Sequence, residues 1–162
     1  MLKVAFVVQR CGWEVNGGAE ALCLMIAQRM MKYFMVEILT TCALNYTDWA
    51  NHYPVGEETV GGVLIRRFKV EAPRDIEKFN HFSLQLRSRC TTASIQEQEI
   101  WMKAQGPWSP TLFAFIESQA NYYDAFIFFP YLYASTWFAL PTVAEKSILV
   151  PCAHDEWTIY LN

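Results

Sequence analysis

The sequence predicts an α/β domain whose sheet is doubly wound, mainly parallel and covered by helices on both faces. Two observations lead to this fold class: short apolar runs rich in β-branched residues alternate with helical stretches, and glycine-bearing loops adjoin several of these runs. Buried strands that alternate with helices are typical of a parallel sheet packed on both sides. A chain of 162 residues, 53% of them hydrophobic, matches one globular domain. We therefore expect residues 1–162 to form a single domain.

The first part of the chain predicts a strand–helix–strand unit. Residues 4–9 form an apolar run rich in valine, and the loop that follows contains Gly17 and Gly18. A helical apolar stripe comes next, with Glu20 in its first turn, where a negative charge favours the helix dipole. The apolar run at 36–41 predicts the second strand. A right-handed crossover is expected between the two strands.

The later elements follow from the same patterns. Gly106 and Pro107 end a helical stretch, and Ser109 with Pro110 opens another with a serine cap and a proline in the first turn. In chain order we predict a polar loop at 45–59, a strand at 63–70, a helix at 75–103 broken near 90–94, a short helix from 109, a strand at 125–129, a helix at 133–144 and a strand at 148–150.

The expected strand order is 3-2-1-4-5, which places a topological switch between the first and fourth strands. Ligands of such sheets bind beyond the carboxyl ends of the strands at the switch. Three segments follow strands or precede a helix at that edge: the Gly17-Gly18 loop, Tyr131 after strand four, and His154-Asp155 after strand five. The topology alone therefore predicts a ligand site where they converge.

Composition excludes several classes of protein. A net charge of −3 offers no basic field for nucleic acid, and a mean hydropathy of +0.10 argues against disorder. Five cysteines without a C-x-x-C pair indicate reduced, mostly buried thiols in a cytosolic chain, and neither a disulfide framework nor a zinc site. The N-terminal apolar run is too short for a signal peptide.

A membrane span is the alternative interpretation of residues 125–144, which carry no formal charge and are about as long as a bilayer is thick. Pro130 and Pro141 interrupt this stretch, and its first residues have a strand-like composition. A buried strand followed by a short helix explains the same residues. We predict no transmembrane span, while peripheral contact with a membrane stays open.

The Asn16-Gly17-Gly18 loop is a candidate ligand site because free backbone N–H groups at a helix start attract phosphate or a sugar hydroxyl. The alternative is a tight turn without a ligand. A P-loop is excluded, since Gly18 and Ala19 stand where Lys and Ser or Thr are needed. The glycine spacing and the lack of a carboxylate after strand two also disfavour a nicotinamide cofactor.

His154 is the candidate catalytic side chain, because an imidazole at the end of a strand can bind a sugar hydroxyl or transfer a proton. The alternative is a histidine that satisfies a loop carbonyl. No metal site is expected from His154, Asp155 and Glu156, since adjacent side chains point to opposite faces. Most aromatic residues at 122–138 are assigned to the core, with Tyr131 as the exception that contacts a ligand.

Three segments carry a resemblance to a known family: VAFVVQR at 4–10, WEVNGGAE at 13–20 and VPCAHDE at 150–156. Together they resemble the amino-terminal half of a family 4 glycosyltransferase of the GT-B fold. The resemblance covers essentially the whole chain and implies a Rossmann-like sheet. It also implies sugar transfer from a nucleotide sugar, the co-substrate, to an acceptor with retention and without an essential metal or other cofactor.

The resemblance implies roles for individual residues. Gly17 and Gly18 would lie near the donor diphosphate and the acceptor, and Glu20 would help to fix the helix start. His154 would face the transferred sugar, and Asp155 would orient His154 or the acceptor. Asn16 and Tyr131 complete the expected substrate-binding set.

The family has a second, donor-binding domain that this sequence does not contain. We expect the chain to need this C-terminal domain or a companion chain for activity. We also expect it to act on a glycan or lipid-linked acceptor, either in the cytoplasm or peripherally at the inner face of a membrane. Two alternatives stay open: a non-catalytic sugar-binding or regulatory module, and an unrelated α/β protein with a small ligand.

Overall fold

A computed structural model of the chain describes residues 1–161 and shows an α/β fold built on one sheet. Its strands are β1 (Lys3–Val8), β2 (Met35–Thr41), β3 (Gly56–Val60), β4 (Val63–Phe68), β5 (Ala125–Phe129) and β6 (Ser147–Leu149). Its helices are α1 (Gly18–Met30), α2 (Ile76–Arg87), α3 (Ile95–Gln105), α4 (Pro110–Ser118) and α5 (Ala134–Ala139), with 3-10 turns at Leu140–Lys146 and Trp157–Tyr160.

The sheet has the order β3-β4-β2-β1-β5-β6, and all neighbouring strands except β3 and β4 run parallel. The five parallel strands therefore confirm the predicted order 3-2-1-4-5. In the register of the central strands, Phe6 lies beside Ile38 on one side and Ile127 on the other. From β1 the chain first adds β2 and β4 on one side of the sheet and later adds β5 and β6 on the other side. The strand order therefore reverses between β1 and β5, as the doubly wound fold requires.

Both faces of the sheet are buried, because alternate side chains of each strand point to opposite sides. On one face Phe6 and Ile38 pack with Cys23 and Ala27 of α1. On the other face Phe128 belongs to a separate core cluster with residues of α4 such as Leu112 and Ile116. Helices thus cover both faces, which confirms the predicted fold class.

The loop predicted at 45–59 is partly wrong, since β3 begins at Gly56 and pairs with β4 in an antiparallel hairpin. Gly61 and Gly62 form its two-residue turn with φ of 57° and 86°, a conformation that hairpins favour and glycine adopts without strain. Glu57 and Glu58 are exposed on this edge strand, which gave the segment the polarity of a loop.

The helix predicted at 133–144 is also shorter than expected. Regular α-helix ends at Ala139 and a 3-10 turn containing Pro141 continues to Lys146, because proline lacks the N–H that would extend the helix.

Within residues 1–161, no helix is long and apolar enough to cross a membrane. The expected break in the preceding long helix is confirmed, since α2 ends at Arg87 and α3 begins at Ile95.

The start of α3 gives a pH-dependent contribution to stability. Ser94 and Glu97 form a capping box, and Arg89 Nη2 lies 2.6 Å from Glu97 Oε1. The hydrogen bond from Arg89, together with those from Ser94, lowers the pKa of Glu97 from 4.5 to about 2. Because the pKa is lower in the folded chain, the contribution is complete above about pH 4.5 and is lost as the pH falls toward 2.

We therefore expect the thermal unfolding midpoint of the parent to exceed that of Glu97→Gln at neutral pH. The difference should shrink below about pH 4.5 and vanish near pH 2. Calorimetry or circular dichroism across this range measures it. A difference that stays constant down to pH 2 would show that ionisation of Glu97 does not support the helix.

Candidate functional site

A cleft of about 410 Å³ lies at the carboxyl edge of the sheet, where β1 and β5 end side by side at the paired residues Val8 and Phe129. We call it the switch-point cleft. Its walls come from the end of β1, the start of α1 and the segments after β2, β5 and β6: Gln9, Arg10, Asn16, Gly17, Gly18, Ala19, Glu20, Tyr46, Pro130, Tyr131, Leu132, Tyr133, Cys152, His154 and Glu156.

The cleft brings together most of the residues that the sequence singles out. The start of α1 supplies one wall and His154 and Tyr131 lie on others, so the three predicted segments do converge. Asp155 is not part of the lining: it is exposed, and its carboxylate accepts a hydrogen bond from Tyr160 at 3.2 Å. The carboxylate that lines the cleft is Glu156 instead.

A buried ion pair holds the start of α1 against the end of β1. Glu20 Oε1 accepts hydrogen bonds from Arg10 Nε at 2.6 Å and from Gln9 Nε2 at 2.9 Å. The other guanidinium nitrogens of Arg10 donate to the carbonyls of Leu44 and Asn16 at 2.7 and 3.0 Å. This geometry gives Glu20 a positioning role, and the charge of Arg10 is neutralised within the protein.

The first turn of α1 presents hydrogen-bond donors to the cleft. The first intrahelical bond is donated by Ala21 to the carbonyl of Gly17, so the N–H groups of Gly18, Ala19 and Glu20 have no helical acceptor. No side chain caps this end. Since Arg10 is neutralised by Glu20, and no lysine lines the cleft within the described part of the chain, these donors suit a neutral hydroxyl better than a diphosphate.

Two tyrosines form the wall after β5. The hydroxyl of Tyr131 donates to Glu156 Oε1 at 2.9 Å and lies 2.7 Å from Thr158 Oγ1, and burial raises its pKa to about 12. Tyr133 packs edge-on against Trp49 with ring centroids 5.4 Å apart. Burial also raises the pKa of Tyr133, so both hydroxyls stay protonated at neutral pH.

His154 and Cys152 differ in what they can do chemically. The imidazole of His154 is exposed and hydrogen-bonds to nothing else in residues 1–161, so the alternative that it satisfies a loop carbonyl is not observed. Cys152 is half-buried against the core beneath α1. Burial raises the pKa of its thiol, which makes it a poor nucleophile at neutral pH.

Nine lining residues were not predicted from the sequence, among them Gln9, Arg10, Tyr46, Tyr133 and Glu156. A signal was present for the first two, because polar residues directly after a buried strand lie at its carboxyl end. Tyr133 was assigned to the core with the other aromatic residues of its segment. Glu156 was considered only as part of an improbable metal site.

Position 17 requires glycine because the Glu20 carboxylate lies where a Cβ would be. The backbone itself does not require glycine there, since a φ of −174° is ordinary extended backbone. A Cβ on Gly17 would overlap Glu20 Oε2, whereas nothing lies within 4 Å of one on Gly18. Glu20 is held by two hydrogen bonds and cannot move freely away. We expect Gly17→Ala to lower the free energy of unfolding by about 1–3 kcal/mol through overpacking, as measured by urea denaturation.

Gly18→Ala is the matched control for this substitution. It should change the free energy of unfolding by no more than about 0.5 kcal/mol. Equal effects of the two alanines would show that Gly17 is not constrained by Glu20.

In comparisons with known proteins, no family model, curated protein or solved structure matches the chain.

Proposed function

We propose that this chain is the acceptor-binding half of a retaining glycosyltransferase, which moves a sugar from a nucleotide sugar to a glycan or lipid-linked acceptor in the cytoplasm. The observation that supports it best is the meeting of the Asn16-Gly17-Gly18 loop and His154 in one cleft at the topological switch of the sheet. These are the segments in which the sequence resembles that family. Acceptor binding at this edge agrees with the general position of ligand sites in such sheets.

The chemistry of the cleft favours a sugar acceptor. Tyr46, Tyr131 and Tyr133 line it with aromatic surface, which packs well against the apolar faces of sugar rings. Free N–H groups at the start of α1 can hold a hydroxyl, and Glu156 supplies an acceptor. His154 is placed to bind a hydroxyl of the transferred sugar or to assist proton movement at the acceptor oxygen.

The charge balance of the cleft supports the proposal that another domain holds the leaving group. When the glycosidic bond of the donor breaks, negative charge develops on the departing nucleoside diphosphate and must be stabilised by fixed cations or dipoles. Arg10, the arginine of the cleft, is paired with Glu20. We therefore propose that a C-terminal domain or companion chain supplies these cations and that the chain alone transfers no sugar. Its acceptor, where lipid-linked, would be met at the inner face of a membrane.

The first experiment is to read the source gene beyond the codon for Asn162 and in its immediate neighbourhood for a second Rossmann-like half. The joined pair is then assayed with nucleotide sugars and candidate acceptors. Transfer with retention supports the proposal. Sugar binding in NMR titrations of the chain without transfer by the joined pair would favour a non-catalytic module, and tight binding of a nicotinamide cofactor would favour an unrelated α/β protein.

His154→Ala tests the proposed catalytic residue. In the joined pair we expect kcat/KM to fall by at least about 100-fold, because His154 is the exposed imidazole that lines the cleft. His81→Ala is the matched control, since His81 is exposed on α2 and contacts only Gln85 by hydrogen bond. If His154→Ala transfers sugar as well as His81→Ala, the catalytic assignment is wrong.

A further inference from the structure

A second and larger concavity, of about 520 Å³, lies between α2 and α3, the segment before α2, the segment after α3 and Trp49 of the loop after β2. We call it the α2–α3 groove. It falls within the size range of small-molecule sites, about 300–1,000 Å³. Its lining is mostly apolar: Trp49, Ala72, Pro73, Arg74, Asp75, Lys78, Phe79, Phe82, Ile100, Lys103, Ala104, Gly106 and Trp108.

The apolar walls of the groove face solvent but are held in place. Ile100 is 61% exposed, and Phe79, Phe82 and Trp108 are half-buried. Trp49 at the base is 1% exposed, and its Nε1 donates to the carbonyl of Gln105 at 2.6 Å. Binding of an apolar ligand in an exposed apolar concavity is favourable, because apolar surface of both the ligand and the protein is removed from water.

Within residues 1–161, two cations at the groove form no ion pair with a carboxylate. The guanidinium of Arg74 donates only to oxygens of Tyr46, Thr47 and Gln105. Lys103 Nζ lies 4.4 Å from the ring centroid of Trp108, and in the described residues no carboxylate pairs with it.

The groove is therefore positively charged on a chain that is negative as a whole. Asp75 is the carboxylate in its lining, and it is already paired with Lys78 at 3.2 Å. The net charge of the chain is −3. This local reversal of sign complements an anion bound beside the apolar walls.

We propose that the α2–α3 groove binds the alkyl chain of an anionic amphiphile, whose charged end is held by Lys103. The combination of aromatic walls, an unpaired cation fixed on Trp108 and a concave shape selects this ligand class over a neutral apolar molecule. Within residues 1–161 the groove shares no lining residue with the switch-point cleft, and its proposed binding does not require sugar transfer. A depression of about 280 Å³ lined by Arg74 and Tyr133 lies between the two.

Isothermal titration of the chain with decyl phosphate, kept below its micelle-forming concentration, tests the proposal. The decyl ether of tetraethylene glycol, which carries neither a charge nor a sugar ring, is the neutral comparator and should bind more weakly. Lys103→Glu should weaken binding of decyl phosphate about tenfold, because an attractive charge becomes repulsive. Lys32→Glu is the matched control, since Lys32 is exposed on the chain and does not line the groove, and it should bind like the parent.

Ala72→Trp provides a second variant that fills the groove from an exposed position and should abolish binding. In the parent, NMR signals of the Ile100 and Ala104 methyl groups should shift on addition of decyl phosphate, which tests the site without any substitution. His154→Ala should leave the binding of decyl phosphate unchanged. A failure of the proposed ligand binding in the groove can therefore be distinguished from a failure of the proposed sugar transfer.

Three results would overturn the proposal. One is equal loss of binding in Lys103→Glu and Lys32→Glu, and another is unshifted methyl signals at saturation. The third is binding to anionic phospholipid vesicles without binding of monomeric decyl phosphate, which would make this region a membrane-contacting surface rather than a ligand site.

Discussion

Glu20→Ala is expected to lower the free energy of unfolding by about 3–5 kcal/mol, because it leaves the charge of Arg10 buried without a partner. The side chains of Arg10 and Glu20 are only 7% and 6% exposed, and their charged atoms lie 2.6 Å apart. Gln9 also loses the acceptor of its amide hydrogen bond. Urea denaturation followed by circular dichroism measures the change.

Glu99→Ala is the control, since Glu99 is an exposed glutamate in α3 and its loss should change the free energy of unfolding by no more than about 0.5 kcal/mol. The double variant Arg10→Met with Glu20→Leu should recover much of the lost stability, because neither charge then remains buried. A Glu20→Ala variant as stable as Glu99→Ala would refute the importance of this ion pair.

Trp101→Ala is the second substitution with a large expected effect, about 3–5 kcal/mol of unfolding free energy. Trp101 is 2% exposed, and its ring lies 5.6 Å from that of Phe79 and 5.1 Å from that of Trp157. Its Nε1 also donates to Ser83 at 2.9 Å. The substitution removes the centre of the cluster that joins α2, α3 and the turn after β6.

Trp13→Ala is the matched control, because Trp13 is 72% exposed and its removal should be nearly neutral. Since Trp157 directly follows Glu156 of the cleft, Trp101→Ala should also increase hydrogen exchange at Thr158 and its neighbours more than Trp13→Ala does. If the two tryptophan variants unfold at the same urea concentration, the packing role of Trp101 is refuted.

The positions of the parallel strands could be predicted because they are short runs rich in apolar residues, and the central strands β1 and β5 are buried on both faces. The edge strand β3 could not be predicted in this way. Glu57 and Glu58 are exposed there and form ion pairs with Arg66 and Arg67 of β4. Val60 is the buried apolar residue of β3, so this strand is held mainly by its hydrogen bonds to β4 and by the Gly61-Gly62 turn.

The place of the cleft was predictable for a similar reason, since topology puts the carboxyl ends of neighbouring strands at one edge. The individual side chains were harder to assign. Whether Asp155 or Glu156 faces the cleft depends on the backbone path after β6, where Cys152 has a φ of 48°, and an alternation rule for extended chain does not apply to such a path. Arg10 pairs with Glu20 only because α1 returns its first turn to the end of β1.

The burial of thiols makes the chain suited to kinetic labelling. Cys11, Cys23 and Cys42 are buried, while Cys90 and Cys152 are partly accessible. After Cys90→Ser, Cys152 is the accessible thiol of the chain, and it lines the cleft. At alkaline pH, where a thiol of raised pKa still ionises, the rate at which iodoacetamide alkylates Cys152 reports whether the cleft is occupied, whatever molecule occupies it. A library of sugars and nucleotides can therefore be screened by protection of this thiol from alkylation.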